Sequence, residues 1–156
     1  MSNRETVMTF VTALQSGDIS LAANSMADNF TLTGFAANVL DKNEFLLMQS
    51  KLLAAMPDFS YNLSDVQDAE NDSVQALIQI TGTQANGLDL SQFGMRPVES
   101  TGLAVTLPQV HVTYDVENGL ITSIQIESLP GSGMAGLAQQ VGAELPIARR
   151  GVNIAD

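Results

Sequence analysis

The sequence predicts an α+β domain with helices packed on one face of a largely antiparallel sheet. Three observations carry that prediction. Apolar residues recur at helical spacing up to Met56, and from Asp58 onward the period falls to two. Between two of the later alternating runs stands Asn118-Gly119, a pair that tolerates the positive φ angles of a tight hairpin turn. Early helices followed by hairpin-linked strands is the order of a two-layer α+β arrangement.

Each element has its own local reason. Ser2 and Glu5 are spaced as a capping box, and Val7, Phe10, Val11 and Leu14 then form one apolar stripe that ends at Gly17. Asp18 caps a second short helix carrying Ile19, Ala22, Ala23 and Met26, so residues 2–26 read as a helix pair. Residues 29–35 alternate as a short strand. Asp41 and Glu44 open a third helix whose buried face is Phe45, Met48, Leu52 and Met56, and Pro57 stops it. Phe59, Tyr61, Leu63 and Val66 suggest a strand, Asn71-Asp72 the turn, and Val74, Ala76, Ile78 and Ile80 a long return strand. Residues 84–101 hold Gly87, Gly94 and Pro97 without a sustained period and read as a loop or flap at a rim. Strands over 103–116 and 120–129 follow, then a short helix within 131–142 presenting Met134, Leu137 and Val141.

The 156 residues suit one domain, over residues 1–142, with a tail at 143–156 that is expected to be mobile or to cross onto a partner. Seventeen acidic residues against six Lys and Arg give a net charge of −11, which repels nucleic-acid phosphates and anionic lipid headgroups. With no cysteine there is no disulfide framework, thiolate metal site or thiol nucleophile. The amino terminus turns polar and helical at once, and no apolar run approaches the roughly 20 residues of a membrane span. The expected setting is cytoplasmic, with no membrane partner. Asp65, Asp68, Glu70 and Asp72 read as a solvated acidic turn rather than a cation site, and the glycines at 131–136 do not follow a strand within a βαβ unit as a dinucleotide loop would. No metal and no cofactor are expected.

The late strands have two unlike faces. Val110, Val112, Tyr114 and Val116 oppose His111, Thr113 and Asp115, while Ile124 and Ile126 oppose Ser123, Gln125 and Glu127. Parity alone does not say which face meets the helices.

An ordered set of segments carries a resemblance. It comprises Phe10-Val11-Thr12-Ala13-Leu14-Gln15-Ser16-Gly17-Asp18, Met56-Pro57-Asp58-Phe59, Ile80-Thr81-Gly82-Thr83 with Asn86-Gly87, Val110-His111-Val112, Asn118-Gly119-Leu120-Ile121 and residues 136–142. In that order the chain resembles the SnoaL-like polyketide cyclase branch of the NTF2-like superfamily. The resemblance implies a cone, in which a curved antiparallel or mixed sheet carries three N-terminal helices on one face around a pocket for a small apolar ligand, a carbonyl compound. It also implies a homodimer through the outer sheet face. On that basis Val110, Val112, Tyr114, Ile124 and Ile126 would meet the second subunit, and His111, Gln125 and Glu127 would line the cavity.

Enzymes of that branch close rings by intramolecular aldol condensation, with a strand Asp as acid/base and a strand His assisting. His111 matches the His. The Asp position falls on or near Gln125, whose amide is no acid/base, so Glu127, two residues further on the same face, is the expected substitute. The resemblance thus implies His111 and Glu127 as catalytic residues, with Gln125, Thr113, Phe30, Phe35 and Met56 contacting substrate. The plainer alternatives are a hydrogen-bonded structural His111, a solvated Glu127 and core roles for Phe30, Phe35 and Met56. At the level of function they correspond to a non-catalytic dimer that binds a ligand or a protein.

Overall fold

The computed structural model describes residues 2–142, so the tail expected from Ala143 lies outside the described residues. Helix α1 (Asn3–Ser16) begins where Ser2 Oγ accepts the Glu5 amide at 3.1 Å and the Glu5 carboxylate accepts the Ser2 amide at 2.8 Å. Asp18 caps α2 (Ile19–Asn24), and Asp41 and Glu44 form a second capping box at α3 (Lys42–Ala55), which stops ahead of Pro57. Met26, expected at the end of α2, instead opens strand β1 (Met26–Thr33), since the helix ends where Ser25 turns its hydroxyl back onto the Leu21 carbonyl. The two-residue strand β2 (Leu40–Asp41) pairs with β1 and is too short to leave a period in the sequence.

Several expected strands are interrupted, each for a local reason. The run at 59–66 is a strand only from Ser64, in β3 (Ser64–Asp68): Asn62, at a φ of 46°, bends the chain ahead of it, and Asp65, at 52°, sits in the register shift between Ser64 and Gln67. Strand β4 (Ser73–Ile78) ends two residues before Ile80, and Thr81–Thr83 forms β5 in a separate small sheet with β6 (Ala104–Thr106). Pro108, which has no amide to give a ladder, separates β6 from β7 (Val110–Glu117), so the single strand expected over 103–116 is two. Asn118 and Gly119, at φ 52° and 78°, turn the chain into β8 (Leu120–Ile126), which ends short of the expected Leu129. The 84–101 segment is the expected loop, and α4 (Gly133–Val141) the expected late helix.

The main sheet runs β2-β1-β8-β7-β4-β3, with β1 and β8 parallel and every other pair antiparallel. Helix α1 lies against β3, β4 and β8, and α3 against β1 and β2. In the layer between, Phe45 stacks with Phe10 at a centroid distance of 6.3 Å and meets Phe30 in a tilted contact at 5.4 Å.

The apolar face of β7 and β8 is the one beneath the helices. Val112, Tyr114 and Val116 are at most 3% exposed, while His111, Gln125 and Glu127 look outward. This reverses the expectation that His111, Gln125 and Glu127 line the cavity and that Val110, Val112, Tyr114, Ile124 and Ile126 meet a second subunit. The physical reason lies in α1 and α3, whose apolar stripes need an apolar partner. Covering them with the His-Gln-Glu face would strand buried polar groups, each at a cost of about 1–3 kcal/mol. Apolar surface assigned to a dimer contact is therefore covered within one chain.

Candidate functional site

Between the helices and the sheet lies a small cavity of about 20 Å3, whose walls include Phe35, Phe45, Met48, Tyr61, Tyr114 and Ile124. That volume accommodates about one water molecule. Beside it an open cleft of about 800 Å3 runs between the 34–40 loop, Glu44, Gln92, Phe93 and the segment from Ser128 to Ala135. Phe35 is the one side chain that lines both hollows, and it is 7% exposed.

Two glycines allow Phe35 to stand there. Gly34 has φ 93°, and a Cβ on it would fall 1.8 Å from the Ile126 carbonyl oxygen. Gly133, at φ 66°, would bring a Cβ to 2.6 Å from the Phe35 carbonyl oxygen, which accepts the Met134 amide at 2.8 Å. Only residues without a side chain let the loop press this closely on the end of β8 and the start of α4.

Inside the cone is a small polar island. Gln49 of α3 is fully buried, and Tyr61 and Tyr114 are 8% and 3% exposed. The Tyr61 hydroxyl donates to Gln49 Oε1, the Tyr61 amide donates to Gln15 Oε1 at 2.7 Å, and the Tyr61 ring meets Phe59 edge-on at 4.9 Å. Burial pushes the Tyr61 hydroxyl far above its ordinary pKa, and the neighbouring Tyr114 raises it further. Burial does the same to Tyr114. Both hydroxyls are accordingly donors at physiological pH and cannot act as bases. Gln49 Nε2 is buried with no hydrogen-bond partner among the described residues.

The outer face carries a different network. His111 Nδ1 lies 3.0 Å from Glu127 Oε1, which also accepts the His111 amide at 3.0 Å. These bonds, the backbone one first, hold the Glu127 carboxyl below its ordinary pKa. The two side chains are 78% and 40% exposed. Asp115 Oδ2 accepts Ser123 Oγ at 2.6 Å and Gln125 Nε2 at 3.1 Å, and Thr113 stands opposite Gln125 across the β7–β8 ladder.

The structure thus brings His111 and Glu127 together, but on the far side of the sheet from the cavity, with Gln125 and Thr113 beside them. Phe30 packs against Phe45 and Met56 lies over Gly82, and neither lines either hollow. Of the residues expected to contact substrate, Phe35 alone does line them. Sequence reasoning missed Gln49 and the polar ends of Tyr61 and Tyr114. Gln49 did leave a signal, as an amide four residues after Phe45 and three before Leu52, on the buried face of an otherwise apolar stripe. Among the described residues there is no group of three or more His, Asp or Glu arranged to hold a metal ion, and no helix long and apolar enough to cross a membrane.

A SnoaL-like domain model matches residues 7–124. Among solved structures, AclR, a candidate hydroxylase from Streptomyces galilaeus, superposes with a TM-score of 0.67 at 18% identity, over 90% of this chain and 95% of its own. A candidate polyketide cyclase from Pseudomonas putida gives a TM-score of 0.64 at 16% identity, over 90% of this chain and 98% of its own. A candidate SnoaL-like polyketide cyclase from Jannaschia gives 0.67 at 17% identity, over 89% and 91%. At such identities the likeness establishes the fold. No curated protein matches the sequence.

Proposed function

This chain belongs to the SnoaL-like family within the NTF2-like fold, and from that premise we propose that it binds a small apolar molecule inside the cone, without proton-transfer chemistry on it. What supports the reading is a single arrangement: an apolar cavity under the helices and an open cleft that share one lining side chain, Phe35. An apolar chamber with a few fixed polar groups is the common form of a small-molecule site. The cavity of about 20 Å3 is the closed state, and a ligand enters from the cleft as Phe35 swings aside.

The alternative is aldol-type ring closure, which draws on the neighbours that carry the polyketide cyclase name. It needs an acid and a base within hydrogen-bond reach of one carbonyl. His111 and Glu127 have the right chemistry but the sheet stands between them and the cavity, and the hydroxyls of Tyr61 and Tyr114 supply donors without a base. The binding reading is therefore preferred.

Native mass spectrometry of freshly purified protein tests it. A retained apolar molecule is the expected result, with Phe35→Ala raising the exchange rate of that molecule. Bare protein that also takes up no small aromatic hydrocarbon, in both wild type and Phe35→Ala, defeats the proposal.

A further inference from the structure

We propose that the Gln49 carboxamide is the specificity-determining donor of the cone, its Nε2 kept free for the carbonyl oxygen of an otherwise apolar, uncharged ligand. The inference rests on the cone being a binding chamber and adds which ligands it selects.

An amide side chain offers one acceptor oxygen and two N–H donors. The Tyr61 hydroxyl occupies the oxygen of Gln49, which fixes the orientation of the amide and turns its N–H groups away from Tyr61. Among the described residues nothing meets those N–H groups. A buried donor without a partner is rare, because its lost hydration is not replaced. Leu or Met at this position of α3 would fill the same space without that cost. The neighbours of Gln49 on α3, namely Phe45, Met48 and Leu52, line the cavity, and so does Tyr61. Gln49 itself is not among the lining residues; it is tied to the lining through the bond from Tyr61, and Met48, beside it on α3, is the unbranched, adaptable side chain whose displacement would open the way to it.

The charge of the ligand follows from the same walls. Among the described residues no Lys, Arg or His lines the cavity, so they offer a buried carboxylate or phosphate no counter-charge. A neutral carbonyl oxygen satisfies the amide without that cost. Tyr114, on the sheet side and close enough to Tyr61 to raise its pKa, lines the same apolar chamber, so the two phenol rings are polar-tipped parts of its wall.

The test is a titration of isotopically labelled protein with acetophenone and with ethylbenzene, which share a shape and differ in the carbonyl. In wild type, acetophenone is expected to shift the Gln49 side-chain amide signals and ethylbenzene to leave them in place. In Gln49→Met, ethylbenzene affinity should be unchanged while the ratio of acetophenone to ethylbenzene affinity falls about tenfold, equivalent to ~1.4 kcal/mol. Tyr61→Phe, which frees the amide to turn, should lower the same ratio by less, and it decides the matter should Gln49→Met fail to fold. An unchanged ratio in the variants, or Gln49 signals unmoved by acetophenone as for an amide holding only a structural water, overturns the assignment and leaves the chamber standing. Failure of both molecules to bind overturns the chamber and the assignment together.

Discussion

The two faces of strands β7 and β8 are made from the same stretch of chain and have opposite physical characters. Inward are Val112, Tyr114, Val116, Ile121 and Ile124, none more than 5% exposed, with one polar island at Gln49, Tyr61 and Tyr114. Outward are His111, Asp115, Ser123, Gln125 and Glu127, bonded in two groups, His111 with Glu127 and Asp115 with Ser123 and Gln125, within reach of water. The outer face holds the residues with the more familiar acid/base chemistry, and the inner face holds the hollow. The lesson is that a titratable pair acquires a function from what surrounds it. The His111–Glu127 pair is solvated and well satisfied, whereas the less reactive amide of Gln49 is enclosed and unsatisfied.

The comparison is broken most directly by putting the same charge on each face at adjacent residues. Val112→Asp places a carboxylate against the cavity, under helices that offer it no cation, and is expected to cost about 3–5 kcal/mol, enough to unfold much of the protein. Thr113→Asp adds the same group on the side facing Gln125 and Gln75, and its cost should stay under ~1 kcal/mol. Urea denaturation of the two variants measures the difference. Equal losses would mean that the assignment of inner and outer faces is wrong.

A second measurement sharpens the inner side alone. The chain has two tyrosines and no tryptophan, so phenolate absorbance reports only on Tyr61 and Tyr114. Both folded-state pKa values are raised by burial, so the folded protein keeps protons that the unfolded chain releases near pH ~10. Their contribution to stability is fully present below that pH and is lost as the pH climbs above it. The expected record shows no phenolate near pH ~10, followed by both rings ionising together with loss of helical signal. A tyrosine that titrates normally while the fold persists would open the island to solvent.

The helices were legible because their signals are local. The capping residues Ser2, Glu5, Asp41 and Glu44 and the stop at Pro57 each act within one turn, and all are found where the sequence suggested. The Asn118-Gly119 turn was legible for the same reason. The strand ends were less so, because Asn62 and Pro108 break alternating runs by backbone geometry that hydrophobic periodicity does not register. The site was the least legible part. Alternation separates two faces of a strand but does not label them, and the label comes from α1 and α3, which lie far away in sequence. A resemblance that associated His111 with the pocket supplied the wrong label. The apolar stripes of those helices, weighed for what they had to cover, would have supplied the right one.

The smallest expected effects lie on the outer face, and they test whether its network is only a surface feature. Bonds from the His111 amide and ring lower the folded-state pKa of Glu127. A lowered carboxyl contributes stability that is present above its unfolded pKa and disappears as the pH falls through its folded one. Glu127→Gln should therefore lose slightly in urea midpoint at neutral pH, and the gap to wild type should close in acid below the ordinary carboxylate range. His111→Ala, which keeps the backbone bond to Glu127 and removes the ring, should lose less still, because both side chains are largely in water and screened. Neither variant should alter acetophenone or ethylbenzene binding, since the sheet separates them from the cavity. Loss of binding in either one would place the pair in contact with the ligand and revive proton transfer as the purpose of the cone.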